Sequence, residues 1–525
     1  MATLANIPLE LPVPNVDQIQ IKNFIGGKWY EPISNNFIDN KNPSTDTVIC
    51  QIPDSGPADV DFATSEAKKA FPQWSALHPK ERARYMHKLA DLIDANNEVM
   101  ANFETMDQGK TLFMSRNVDI ARTATNFRHF ADYIESNLTE FTSQMSYPTA
   151  NISQDGKPVI GHALSYVQRS AVGVAGLISP WNLPLYLLSW KIAPCIAAGN
   201  TCVCKPSEFT SVTAMMLTKL IKQAGIPDGV VNIVFGLGQS TGNSIVTHKD
   251  IPLVSFTGGT ITGKHIASAA APMFKHLSLE LGGKNPGLIF DDCDLDLAIK
   301  TSVRSAFQNQ GEICLCTSRL YVQRGIFDDF VAKYKRAVRD TVIVGDPTNP
   351  KTFYGPLVSK PHFEKVQSYV KHAQDAGYDV DFCVDQTVSP HIKDISATGA
   401  LTVEHLENGY FMAPTVITNL QQDSRIVQEE IFGPVVSIIP FDTEEDAIRL
   451  ANDTQYGLAS TVWSRDQGRL RRVAGQIVSG LVWCNCWMVR DLNMPFGGFK
   501  ASGVGTEGGK FSIDFFTKQQ SITLG

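Results

Sequence analysis

No stretch of these 525 residues is apolar for long enough to span a bilayer. The longest runs, "VGVAGLI" and "VVSIIPF", fall far short of the ~20 residues a spanning helix needs. No block of Lys or Arg stands out among 46 basic and 53 acidic residues, and the net charge of −7 argues against nucleic acid as a partner. The opening "MATLANIPLELPVPNVDQIQI" lacks arginine and a continuous apolar core, so it reads as neither a secretory nor a transit peptide. C-x-x-C spacing is missing although ten cysteines are present, and no paired histidines stand beside them, so no metal site is expected. Internal repeats and low-complexity segments are absent as well. The expectation is a soluble, cytoplasmic chain with two or three domains, because its length exceeds what one core serves.

Six cysteines form C-x-C pairs, Cys202/Cys204, Cys314/Cys316 and Cys484/Cys486. In a reducing compartment they read first as small hydrophobes on strands. The first 140 residues read mainly as helix: "PKERARYMHKLADLIDANNEVMANFE" spaces Met86, Leu89 and Leu92/Ile93 helically after Pro79. From about 171 strands and helices alternate. "VGVAGLI" and "TCVCKP" are doubly buried strands, the second followed by a helix capped at Ser207 and ended by Gly225. "VNIVFG" and "IPLVSFTGG" follow, then a second block from "NPGLIF" through "RLYVQ", "VVSIIPF", "ASTVWS" and "GLVWCN". This alternation predicts an α/β protein with parallel, doubly wound sheets. The polar segment 141–170 and the terminal "KQQSITL" read as strands pairing outside either core.

Chemistry-bearing residues cluster at strand ends. "SFTGGTITG" runs a buried strand into Gly258-Gly259 before a helix, where backbone N–H groups face a phosphate; a tight turn alone is the competing reading. "FGLGQSTG", with Gly238, is one residue too long for a dinucleotide fingerprint. Lys205 and Glu208 in "KPSE" are placed to meet ribose hydroxyls, or are solvated charges at a helix start. Glu280 in "ELGGKNP" is a carboxylate with little around it to hydrate it, suited to general-base work or to an ion pair. Asn182 in "SPWNLP" offers a restrained amide donor for an oxyanion, or simply shapes a turn. "GEICLCTSR" leaves open whether either thiol is a nucleophile.

Taken in order, "PWNLP", "KPSE", "FTGGTITG", "ELGGKNP", "FQNQGEICLCTSR", "EEIFGPV" and "PFGGFKASG" resemble the NAD(P)-dependent aldehyde dehydrogenase superfamily from about residue 25 to the end. The resemblance implies the aldehyde dehydrogenase-like fold: a Rossmann-type NAD-binding domain (1–145 and 171–281), an α/β catalytic domain (282–492) and a small oligomerisation sheet (146–170 and 493–525). It makes Cys314 the nucleophile, Glu280 the base and Asn182, with the Cys314 backbone N–H, the oxyanion donor. It assigns NAD contacts to Ser179, Trp181, Lys205, Glu208, Gly238, Gly258, Gly259, Glu430 and Phe432. Two departures stand out. Gly259 replaces a common Ser, and Glu312 replaces a commoner Gln, where its charge is expected to raise the Cys314 pKa.

The resemblance also directs Arg122 and Arg490 into the aldehyde pocket, with Tyr186 and Trp190 as aromatic walls. Arginine binds carboxylates bidentately and is costly to bury unpaired. A carboxylate-bearing aldehyde, a muconic-type semialdehyde of the kynurenine pathway, is therefore the expected substrate, and internal salt bridges are the competing reading. Retinal or betaine aldehyde is the alternative, followed by a non-catalytic structural relative or a thiol esterase. A homodimer or homotetramer is expected.

Overall fold

The computed structural model describes residues 19–136, 142–383 and 408–525. The N-terminal segment read for targeting signals lies almost wholly outside them. Five parallel strands form the centre of an eight-stranded sheet, in the spatial order His276–Glu280, Leu253–Thr257, Val174–Ile178, Thr201–Lys205, Val231–Ile233. Val174–Ile178, Thr201–Lys205 and Val231–Ile233 are buried along their whole length, as strands covered on both faces are, while His276–Glu280 begins exposed. The chain starts at Val174–Ile178, builds outward on one side, then returns to build on the other. Strand order thus reverses between Val174–Ile178 and Leu253–Thr257, and the carboxyl ends there open the crevice in which doubly wound sheets hold ligands.

A second, seven-stranded sheet is parallel except for its edge strand Asp379–Phe382. Its middle strands Asn285–Ile289 and Thr317–Gln323 are neighbours, so the segment joining them crosses the end of the sheet nearest the first crevice. Thr142–Ile152, Pro158–Ala171 and Thr517–Leu524 make a separate antiparallel sheet.

Two readings need correction. Residues 19–53 are not helical: five short strands precede the first helix, Pro57–Ala76. Strands this short depend on distant partners, as Asn23–Ile25 does on Val231–Ile233, and carry little local pattern. The helix ended by Gly225 starts at Val212 with Ser211 as its cap residue, because Ser207 and Thr210 close a turn first. Gly225 does end it in the left-handed conformation. Among the described residues no helix is long and apolar enough to cross a membrane.

Candidate active site

The helix Leu295–Phe307 packs Ile299, Val303 and Phe307 inward and then breaks sharply. Asn309 (φ 54°), Gln310 (φ 58°) and Gly311 (φ 73°) are all left-handed, a strained run for the two residues with side chains. A Cβ on Gly311 would lie 2.3 Å from the Gly433 carbonyl oxygen. The turn aims the next residues across the sheet end, and Asn285 Nδ2 ties them down through the carbonyls of Cys314 (2.7 Å) and Cys316 (2.8 Å).

The two thiols differ in access. Cys316 is buried against the Gln308 carbonyl. Cys314, enclosed by protein on most sides, still opens into a cavity of about 250 Å³. Burial raises the Cys314 pKa above the ordinary thiol range, helped by the Glu430 and Glu280 carboxylates and opposed by Arg490. Cys316 is pushed up to about 12, again chiefly by burial. Glu312 does not act on Cys314 as expected. Its carboxyl turns away, accepting from Gln108 Nε2 (2.9 Å) and the Val358 backbone N–H (3.2 Å), and of the two thiols it is Cys316 that feels its charge. His362 Nε2 lies 3.5 Å from Glu312 Oε1. Burial lowers His362 to about 4 and raises Glu312 well above the carboxylate range, so it disfavours the charged form of both partners.

Asn182 follows the strand Val174–Ile178 and donates from Nδ2 to the Glu312 carbonyl at 2.8 Å, which binds it to the segment that carries Cys314. Glu280 ends its strand fully buried, with no hydrogen-bond partner for either oxygen. Burial raises its pKa well above the usual range, Glu507 adds to the rise, and Lys191 and Arg490 oppose it. It lines neither cavity described here. Glu507 instead accepts from Trp190 Nε1 (2.7 Å), Ser278 Oγ (3.2 Å) and Lys191 Nζ (3.4 Å).

The cavity beside Cys314 gathers Trp181, Asn182, Gly258, Gly259, Glu430 and Phe432. The Trp181 ring stands edge-on to Phe432, centroids 5.4 Å apart. Glu430 accepts from the Gly283 N–H at 2.9 Å. Ser179, Lys205, Glu208 and Gly238 do not line this cavity; they continue along the same sheet edge, after successive strands. Lys205 Nζ pairs with Glu208 Oε2 at 2.9 Å. The edge fits a dinucleotide: Ser179 Oγ is buried without a partner, and Gly259 opens the helix Thr260–Ala270 with no atom within 4 Å of where a Cβ would stand. A Ser at 259 would therefore fit, so the glycine is not sterically required. His362 and Lys365 also line the cavity and carry no signal in their local sequence.

On the other side of the segment a cavity of about 360 Å³ is lined by Arg122, Arg490, Tyr186, Ile313, Leu315 and Trp487. Among the described residues neither arginine makes a salt bridge. Arg122 donates to Asn126 Oδ1 (3.1 Å) and lies 5.3 Å from the Tyr186 ring centre. Arg490 lies 4.7 Å from Trp190 and 4.1 Å from Phe496. One Arg122 nitrogen and two of Arg490 are buried without partners. Trp190 is not a wall of the cavity; it lies behind, its indole N–H spent on Glu507. A third arginine, Arg304, does line it, stacked on Trp487 (5.4 Å) and donating to that residue's carbonyl (3.2 Å). Among the described residues no Asp or Glu lines this cavity.

The aldehyde dehydrogenase family model matches residues 29–522. The chain is 49% identical to the 2-aminomuconic semialdehyde dehydrogenase of Mus musculus and 50% to that of Danio rerio, each comparison covering 96% of this chain and 98% of the relative. An NAD+ complex of an aldehyde dehydrogenase from Bacillus cereus superposes with a TM-score of 0.86 at 36% identity, covering 97% of both chains.

Proposed function

This chain belongs to the aldehyde dehydrogenase family and is an oxidoreductase of that class, and on that premise we propose that it oxidises 2-aminomuconate semialdehyde to 2-aminomuconate with NAD in the kynurenine pathway. The observation that carries the substrate is the arginine cavity: partnerless guanidinium nitrogens of Arg122 and Arg490, a third cation at Arg304 and no acidic wall. Unpaired buried charge is costly, and a substrate carboxylate removes that cost. Retinal would leave these groups unpaired, and a betaine-type cation would be repelled.

In this reading the Cys314 thiol gives up its proton to solvent, Sγ attacks the aldehyde carbon as the C=O π bond opens, and the Asn182 amide holds the oxygen as it gains charge. Bound NAD supplies the hydride acceptor. Trp181 and Phe432 wall its site beside Cys314, and Glu430, Lys205, Glu208 and Gly238 are assigned to the rest of the molecule. Cys314 then carries the acyl group as a thioester. Glu280 takes a proton from the water that releases the acid; no hydrogen bond holds its carboxyl, so rotation toward Cys314 breaks none.

The same proposal assigns 1–145 and 171–281 to the cofactor domain, 282–492 to the catalytic domain, and 146–170 with 493–525 to self-association as a dimer or tetramer. Exposed Met145, Tyr147, Val159, Ile160 and Leu164 on the three-stranded sheet support association there. Ten free cysteines support a reducing, cytoplasmic location. The test is a substrate panel at fixed NAD, followed by reduced-cofactor absorbance. Semialdehydes bearing a carboxylate are expected to surpass retinal and betaine aldehyde in kcat/KM. Equal or better use of either alternative would overturn the substrate.

A further inference from the structure

The loop joining the helices Asn97–Gln108 and Leu112–Met114 lines neither cavity, yet its polar side chains end on groups the chemistry uses. Gln108, fully buried, donates from Nε2 to Glu312 Oε2 at 2.9 Å. Its Oε1 accepts from the Lys110 backbone N–H at 2.9 Å. Lys110, also fully buried and ion-paired to Asp119, donates from Nζ to the Asn182 carbonyl oxygen at 2.9 Å. Asn182 Nδ2 closes the circuit on the Glu312 carbonyl at 2.8 Å. Four residues from three distant segments thus form one closed ring of hydrogen bonds, with Asn309 Nδ2 as a fifth contact to the Asn182 carbonyl at 3.1 Å.

Gly109 sets the geometry of the loop. Its φ of 91° turns Gln108 and Lys110 inward, and a Cβ there would come within 2.9 Å of both Pro43 and Pro356. A buried ion pair such as Lys110–Asp119 is weak as a device for stability alone, since well-packed apolar residues do as well or better. What it achieves here is a fixed cation on the backbone of Asn182. The Asn182 amide has two N–H groups, and the ring spends one of them on Glu312, two residues before Cys314.

We propose that Gln108 and Lys110 are positioning residues that lock the remaining Asn182 N–H and the Cys314 thiol at one separation, so that the donor meets the oxygen of the carbon under attack. The inference rests on the roles given above to Asn182 and Cys314. Errors of about 1 Å in such geometry cost ~100-fold in rate, and a donor that needs no reorganisation is worth most in a dry site.

The test is a double-mutant cycle on the full-length enzyme. Gln108→Met keeps the shape and removes the donor. Lys110→Met is made together with Asp119→Asn, so that no buried carboxylate is stranded. Each is expected to lower the single-turnover rate of cofactor reduction roughly 10- to 100-fold, with the NAD Kd and the aldehyde KM little changed. Asn182→Ala alone should cost about 100- to 1,000-fold. Added to Asn182→Ala, the Gln108 and Lys110/Asp119 changes should cost nothing more, because their effect passes through the missing amide. Losses that multiply, or a Gln108→Met enzyme at parental rate, would overturn the proposal. An Asn182→Ala enzyme at parental rate would instead overturn the oxyanion role, and the ring's purpose with it. If the Lys110/Asp119 chain does not fold, Gln108→Met decides alone.

Discussion

The two cavities flanking residues 312–316 are built differently. The one that opens on Cys314 is assembled from residues that follow strands: Trp181 and Asn182 after Val174–Ile178, Gly258 and Gly259 after Leu253–Thr257. The strand ends supply one side of it, and His362, Lys365, Glu430 and Phe432 from later in the chain complete it. The arginine cavity draws on helices far apart in the chain, with Arg122 on Ala121–Ser136, Tyr186 on Pro184–Ala197 and Arg304 on Leu295–Phe307, and its character is set by long charged side chains. Sheet-edge sites persist when side chains change, because the fold itself presents the N–H groups. Helix-face sites are rewritten by single substitutions. That division suits an enzyme whose cofactor is shared by its family and whose aldehyde is not.

The sharpest way to break the comparison is Cys314→Ser, at the wall between the cavities. Turnover should fall below detection while NAD binding, measured by fluorescence titration, stays near normal. Loss of both would show that the cavities do not act independently. Cys316→Ser, inside the core, should keep much of the activity.

Glu280 lines neither cavity, so Glu280→Gln should spare both binding events and slow the chemistry by roughly 100- to 10,000-fold. A burst of reduced cofactor followed by slow turnover is expected. Because burial holds the Glu280 carboxyl well above its ordinary range, the base form is scarce at low pH and grows as pH rises through the raised value. Thioester release in the parent should therefore accelerate toward alkaline pH, and in Glu280→Gln that acceleration should vanish. A pH profile unchanged by the substitution would assign deacylation to another group.

The smallest effect sharpens the comparison most. Arg122→Ala or Arg490→Ala should weaken use of a muconic-type semialdehyde about 10- to 150-fold, the equivalent of a charge-assisted hydrogen bond of ~1.5–3 kcal/mol. A small uncharged aldehyde should suffer far less, and the NAD Kd should not move. Arg304→Ala is expected to act in the same sense but more weakly, since Arg304 is less buried and its guanidinium is already engaged with Trp487. Equal losses on charged and uncharged aldehydes would remove the carboxylate argument.

The same contrast explains what could be read in advance. Apolar strand runs ending in glycine or in "PWN" show the sheet edge directly, because strand, turn and ligand contact lie within a few residues. Asn182 could be placed at that edge for this reason, whereas the choice of Cys314 over Cys316 came only from the family resemblance, since that segment follows a helix and a turn rather than a strand. His362, Lys365, Gln108 and Lys110 were not, since each meets the site only through tertiary packing and sits in an unremarkable helix or loop. Trp190 was read as a wall of the aldehyde pocket and lies behind it, and Glu312 was read as a charge beside Cys314 when its side chain points elsewhere. Period and spacing locate a residue along the chain; the direction of a long side chain is decided by neighbours hundreds of positions away.

Glu507 joins several of these parts mechanically. It holds Trp190, whose ring lies under Arg490, and its charge bears on Glu280. Only the short helix Gly509–Phe515 separates it from Thr517–Leu524, the strand that completes the three-stranded sheet. The aromatic support behind Arg490 and the electrostatic setting of Glu280 therefore share one carboxylate. Phe496, which lies against Arg490, exchanges both backbone hydrogen bonds with Glu507, so one short bridge seats the carboxylate and backs the arginine.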